Sequence, residues 1–140
     1  MGYWLAKSDP DTYGWADLLR DRTTSWDGVR NFKARNYLRA MKPGELVLFY
    51  HSGDEKSVVG AMKVLSEAYP DATAEEEGWS ALDVAPAWQL KTPVTLARIK
   101  AEPSLKDIYL VRVARLSVMP LEKDAFDTIV SMGGGTTKLP

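Results

Sequence analysis

A ten-residue amphipathic segment, stopped by Pro43-Gly44 and followed at once by an apolar strand, constrains this fold more than any other feature. Asn31 is a suitable N-cap, and the segment from Phe32 to Met41 carries Ala34, Tyr37, Leu38 and Met41 at i, i+3, i+4 and i+7. That spacing predicts a helix with one apolar face. Arg35, Asn36, Arg39 and Lys42 fall on the opposite side, with Lys33 flanking. Pro43-Gly44 ends the helix because proline cannot continue it and glycine accepts a left-handed cap. Leu46 to Ser52 then reads as a buried strand ending in Tyr50-His51-Ser52. Upstream, Trp26 precedes Asp27-Gly28, a turn pair.

The remaining strands are expected near 3–7, 57–66, 80–91 and 110–118. Thr12 is the expected cap of a short helix through Trp15, Leu18 and Leu19, and Thr95 of another through Leu96 and Ile99. Gly53 to Lys56 forms a hairpin loop. Gly60, inside a strand, marks a bulge or a close approach by another group. Residues 69–78 form an acidic loop, Pro86 interrupts the next strand, Pro93 breaks it, and Pro120 ends the strand over 110–118. A last helix spans about Glu122 to Met132, and Gly133-Gly134-Gly135 begins a frayed tail. Strands interspersed with short helices, without a βαβ rhythm, give an α+β class: a small mixed barrel with helices at its side and ends, as one domain over 1–140.

With no cysteine, disulfides, thiol nucleophiles and thiolate metal sites are excluded. No apolar run approaches a membrane span and no signal-peptide pattern opens the chain, so a cytoplasmic monomer without a membrane role is expected. The net charge of −1 excludes a generally basic nucleic-acid binder. The charge is unevenly placed, however. Residues 20–42 hold seven bases and two acids, a net +5, whereas residues 67–87 hold six acids and no base. The basic segment can attract phosphate through Arg30, Lys33, Arg35 and Arg39. The alternative is two solvated faces of opposite sign.

Signals for catalysis are thin. The one histidine, His51, has no metal-spaced partner, and Ser52 beside it points to the other face of the strand. There is no phosphate-binding loop, and no metal or cofactor is expected. Aromatic usage says more. Trp4, Trp15 and Trp88 lie in apolar patterns and belong to the core, whereas Trp26 and Trp79 lie beside glycine in expected loops. A loop tryptophan can act as a plate on which a base stacks. On this reading Trp26 carries little core packing, and its truncation leaves the fold intact.

The segments Tyr3-Trp4-Leu5-Ala6-Lys7-Ser8-Asp9-Pro10, Trp26-Asp27-Gly28-Val29-Arg30-Asn31, Phe49-Tyr50-His51-Ser52, Val59-Gly60 and Ala68-Tyr69-Pro70-Asp71 together resemble the EVE domain family. Arg115 to Val118 with Pro120 fits the family's C-terminal pattern. Asp9, where the family usually has Glu, is a mild departure. The resemblance covers nearly the whole chain, in order. It implies a PUA-like fold, a closed, strongly bent β-barrel of about five to six strands with short helices packed around it. It also implies kinship with YTH domains, which hold a methylated adenine of RNA in an aromatic cage.

By that likeness the chain is a nucleic-acid-binding module that reads a modified base, a modified cytosine in DNA being the first expectation, flipped into an aromatic pocket. Lys7-Ser8 matches the Lys-Ser that opens the YTH pattern, Trp26 a cage tryptophan, Tyr50-His51-Ser52 the strand end beside the pocket, and Trp79 a second cage tryptophan. Ser8, Asn31, His51 and Ser52, with backbone groups around Val29 to Asn31, are available to bond the base edge. Three other readings stand beside it. One is an RNA-binding module of YTH type. Another is an ASCH-like enzyme on a modified nucleoside or base, with Lys7, Tyr50 and His51 in acid–base roles; a pocket-facing Asp9 or Asp27 with a raised pKa would favour it. The third is a protein-interaction module.

Overall fold

A computed structural model describes residues 1–140. Its centre is a mixed sheet in the order β2-β6-β4-β3-β1-β7, formed by β1 (Tyr3–Ser8), β2 (Thr24–Trp26), β3 (Leu46–His51), β4 (Ser57–Val64), β6 (Ser80–Thr95) and β7 (Val118–Leu121). The short β5 (Tyr69–Pro70) and β8 (Thr136–Thr137) both pair with β6. Only β1 and β3 run parallel, with Lys7 opposite Tyr50 and Ser8 opposite His51. Such a pair needs a long crossover, which α1 (Pro10–Tyr13), α2 (Trp15–Asp21), β2 and α3 (Phe32–Ala40) supply. The remaining helices are α4 (Leu96–Ala101), α5 (Tyr109–Arg112) and α6 (Lys123–Met132), with a 3₁₀ turn at Pro103–Leu105.

The sheet curls into a half-barrel. The resemblance implied strand closure, but β2 and β7 share no ladder. Instead α3 packs on both β6 and β7 and spans the gap. Its formation follows its sequence. Asn31 Oδ1 accepts the Ala34 N–H at 2.9 Å as the N-cap. Ala34, Leu38 and Met41 are buried, and Tyr37 is partly buried against Trp4 and Tyr109.

Gly60 fulfils both halves of its expectation. The β4–β6 register shifts between Val58 and Gly60, and a Cβ at position 60 would lie 2.5 Å from Trp15 Cζ2. The Trp15 ring therefore rests on bare backbone, fixed by Nε1 donating to Gln89 at 3.0 Å.

Several expectations are overturned. Residues 110–118 are not a strand. Ile108 to Val113 close one helical turn, α5, which buries Leu110, and β7 begins only at Val118. Pro120 lies inside β7 opposite Trp4, which an edge strand tolerates because its outer side needs no ladder. Pro86 and Pro93 likewise lie inside the sixteen-residue β6. At Pro86 the ladder with β4 slips, and the β2 ladder has already ended at Val84. The tail does not fray: Thr92 and Lys91 donate to the carbonyls of Gly133 and Gly135, and β8 follows. Thr12 caps nothing. Asp9 caps α1 and Gly14 caps α2, with Asp17 accepting the Gly14 N–H at 2.7 Å.

Candidate nucleic-acid interface

Two features lie side by side near the start of α3. The first is a cavity of about 590 Å³ between the end of β1, α1, β2 and the turn after β2. Its lining includes Lys7, Ser8, Trp26 and Val29 of the expected pocket residues, together with Asp9, Thr12, Tyr13, Thr24, Ser25, Asp27, Gly28 and Ser117. The volume lies in the range of small-molecule and cofactor sites, roughly 300–1,000 Å³.

Trp26 ends β2 rather than standing in a loop, and it is 8 % exposed. Its ring meets Phe49 edge-on at 5.4 Å, and Trp15 and His51 meet the same Phe49 ring at 5.4 and 5.5 Å. The expectation that Trp26 carries little core packing is therefore wrong. One side of the residue is core, while the residue also lines the cavity.

The turn after Trp26 is held in place from a distance. Gly28 has φ +77°, a left-handed conformation that favours glycine. Its N–H donates to Asp71 Oδ2 at 2.9 Å, and Arg30 Nη1 donates to the same oxygen at 2.9 Å. Asp71 Oδ1 accepts from the Thr73 N–H at 2.8 Å and from its hydroxyl at 2.6 Å. The Asp71 side chain is fully buried. Burial opposes its charge, but the Thr73, Gly28 and Arg30 donors together hold its pKa well below the usual carboxylate range. In the sequence Asp71 stands out only as part of the Ala68-Tyr69-Pro70-Asp71 segment, with no role attached. No local pattern shows a partner more than forty residues away in sequence.

The cavity groups differ in state. Partial desolvation at the cavity edge raises the Asp27 pKa, and the Asp71 charge adds to that. Burial lowers the Lys7 pKa, and Lys7 Nζ donates to the Ala114 carbonyl at 2.8 Å while lying 5.7 Å from the Tyr50 ring centroid. The Ser8 hydroxyl donates to the Tyr13 carbonyl at 2.6 Å.

The other expected pocket residues stand outside the lining. Tyr50 is buried on β3 beneath Lys7. His51 Nε2 accepts the Trp15 N–H at 3.0 Å and Nδ1 faces Glu55 at 2.8 Å, so Nδ1 carries the proton of this neutral ring. Ser52 continues the β1–β3 ladder through its N–H to the Ser8 carbonyl. The Asn31 side chain is occupied as the helix cap.

Trp79 forms part of the second feature, outside the cavity. Its ring stacks on Phe32 at 5.0 Å with a 19° interplanar angle, and the Arg30 and Arg35 guanidinium carbons lie 5.7 and 5.8 Å from its centroid. The cations of α3 are partly engaged. Arg35 and Arg39 both donate to the Gly78 carbonyl, and Arg39 also to Ser80. Lys33 has no hydrogen-bond partner and rides over Tyr109 at 5.1 Å. Arg30 and Lys42 reach across to Asp71 and Glu67, so the basic and acidic segments face each other and partly neutralise. No three histidine or carboxylate side chains converge on a point where a metal could sit. No helix is long and apolar enough to cross a membrane.

Comparison with known proteins agrees with this architecture. The EVE domain family matches residues 2–132. The chain is an EVE-domain protein. It is 36% identical to human thymocyte nuclear protein 1 over 164 aligned positions, covering 93% of this chain and 73% of that protein. A crystal structure of an Agrobacterium tumefaciens protein superimposes with a TM-score of 0.92 at 37% identity, covering 100% of this chain and 99% of that one. The human THYN1 protein in complex with DNA containing 5-methylcytosine superimposes with a TM-score of 0.89 at 35% identity, covering 95% and 98%. An ASCH protein of Zymomonas mobilis, with a TM-score of 0.57 at 11% identity, shares the fold alone.

Proposed function

We propose that this EVE-domain protein binds DNA carrying a modified cytosine and holds that base, out of the stack, in the cavity beside Trp26. The observation that carries the reading is the cavity itself: large enough to admit a base, walled on one side by a tryptophan, edged with polar groups, and set in a fold whose human relative was crystallised with 5-methylcytosine DNA. Extrusion costs a few kcal/mol, which stacking in the pocket offsets. Asp27 is the group suited to accept from the exocyclic amino group of a cytosine, and Lys7, also on the cavity lining, supplies a donor for its other polar edge. A methyl group gains contact with the apolar Val29 and Trp26 surfaces. Arg30, Lys33, Arg35 and Arg39 supply phosphate contacts that position the strand without reading sequence. The module acts as a single domain over 1–140 and as a monomer, with no turnover.

Equilibrium binding tests the reading. Matched oligonucleotides carry 5-methylcytosine, cytosine or N6-methyladenine, as DNA and as RNA. Preference for the methylcytosine DNA is expected. Equal affinity for methylated and plain cytosine would overturn it, and preference for N6-methyladenine RNA would favour the YTH-type reading.

Asp27 also gives the enzymatic reading a specific foothold, because it is a cavity carboxyl with a raised pKa. Against it, Asp27 is exposed and no side-chain hydrogen bond orients it. Recovering the bound oligonucleotide after long incubation and measuring its mass separates the two, since a hydrolase returns an altered base.

A further inference from the structure

We propose that Phe32 and Trp79 form a second base-stacking platform, outside the cavity, that takes an unpaired nucleotide flanking the base held in it. The inference rests on the cavity reading above and adds a separate contact to it. Phe32 is the first residue of α3, and the residue is 64 % exposed. A folding chain gains from burying phenylalanine, and this one is instead displayed with its neighbours arranged around it. Trp79 backs it in a near-parallel stack at 5.0 Å, and the Arg35 guanidinium carbon sits 4.9 Å from its centroid. A flat aromatic surface bordered by guanidinium groups suits a nucleobase, whose face stacks and whose phosphate is drawn to the cations.

Charge and position select the occupant. Lys33 follows Phe32 with its ammonium group unbonded. Trp79 also borders a hollow of about 380 Å³ that has Arg39 on its wall together with Lys42, which is paired with Glu67 there. Glu75, Glu76 and Glu77 precede Gly78 in the acidic loop, so phosphate is steered to the α3 side rather than the loop side. Val29 lines the cavity, and Phe32 is three residues further on, so their Cα atoms lie at most about 11 Å apart. An unpaired strand advances by at least the duplex rise of about 3.4 Å per nucleotide, so the platform lies no more than about three nucleotides from the cavity base.

The test is a double-mutant cycle on single-stranded DNA with one 5-methylcytosine. Protein variants are wild type, Phe32→Ser and Phe32→Tyr. DNA variants carry an abasic residue at each of the three positions on either side. Phe32→Ser is expected to weaken binding roughly 5- to 150-fold, as loss of one stacked base implies, and Phe32→Tyr to restore it. One abasic position should weaken wild-type binding by a similar factor and leave Phe32→Ser unaffected. Wild-type affinity in Phe32→Ser, or additive losses at every abasic position, would overturn the platform. Repeating Phe32→Ser with the plain-cytosine strand separates the two readings. A Phe32 effect there without methyl preference keeps the platform and sinks the cavity reading. Methyl preference without a Phe32 effect does the reverse, and absence of any binding sinks both.

Discussion

Replacing Asp71 by Asn tests whether a carboxylate at a distance builds the cavity's rim. Asn can keep an oxygen toward Thr73, but it then presents an amide N–H₂ where Oδ2 accepted from Gly28 and Arg30. Two donors would face a donor. A hydrogen bond to a charged group contributes about 1.5–3 kcal/mol. The Gly28 bond takes that full range because Asp71 is fully buried. The Arg30 bond is discounted to about 1 kcal/mol or less, since the Arg30 side chain is 39 % exposed and water can replace its partner. The expected loss is therefore roughly 2–4 kcal/mol, read by urea unfolding.

The same substitution has a signature in pH. The folded pKa of Asp71 lies below its unfolded value, so in acid the unfolded chain binds the proton first. Its stabilisation is complete above about pH 4, the ordinary aspartate range, and drains as the pH falls further. Wild type should lose stability along that limb, and Asp71→Asn should lose less of it. Affinity for methylcytosine DNA should also fall, because the turn at Asp27 to Val29 loosens while Trp26 stays in place. A loss under about 1 kcal/mol, with an unchanged acid limb, would refute the staple.

Three further outcomes are expected. Gly60→Ala drives a Cβ into the Trp15 ring at 2.5 Å and should cost about 1–3 kcal/mol, and full stability by calorimetry would show that the ring can shift. Replacing Lys33, Arg35 and Arg39 by Ala should each lower the salt slope of DNA binding by about one, and an unchanged slope in the triple variant makes the face merely solvated. Asp27→Asn should reduce discrimination of cytosine against thymine in the cavity position while leaving the salt slope unchanged; retained discrimination removes Asp27 from base readout.

How far the chain could be read from sequence follows from how local each signal is. The N-cap at Asn31, the apolar face of α3, β3 and the Gly60 contact all rest on near neighbours or on one residue's sterics, and they stand as read. The segment 110–118 misled because Val111, Val113 and Val118 favour strands. A single helical turn, burying Leu110, competes without needing a repeat long enough to show periodicity. Pro86, Pro93 and Pro120 read as breakers in sequence because their tolerance depends on which side of the strand lacks a partner, a property of the sheet. Lys7, Ser8, Trp26 and Val29 converge on one cavity because β1 and β2 are brought together across the crossover. The residues alone suggested only separate polar and aromatic spots, and the family likeness joined them. The likeness did not distinguish Trp79, which backs Phe32, from the Trp26 wall.

Trp26 itself calls for a more careful perturbation than simple truncation. Trp26→Ala removes a core ring in contact with Phe49 and should cost about 3–5 kcal/mol of stability. Stacking should also be lost, at roughly 1–3 kcal/mol of affinity. The two losses mix in any assay that counts total protein. Trp26→Phe separates them. It preserves an edge-on partner for Phe49 and most of the burial, yet offers a base a smaller plate. Its affinity should therefore fall by a larger fraction of the alanine effect than its stability does. Both are measured on protein confirmed as folded, by titration at low temperature and by denaturant unfolding without DNA. If Trp26→Ala retains wild-type affinity in its folded fraction, the residue is core alone. The cavity's base would then have to be held by Lys7, Asp27 and Val29 without a stacking wall.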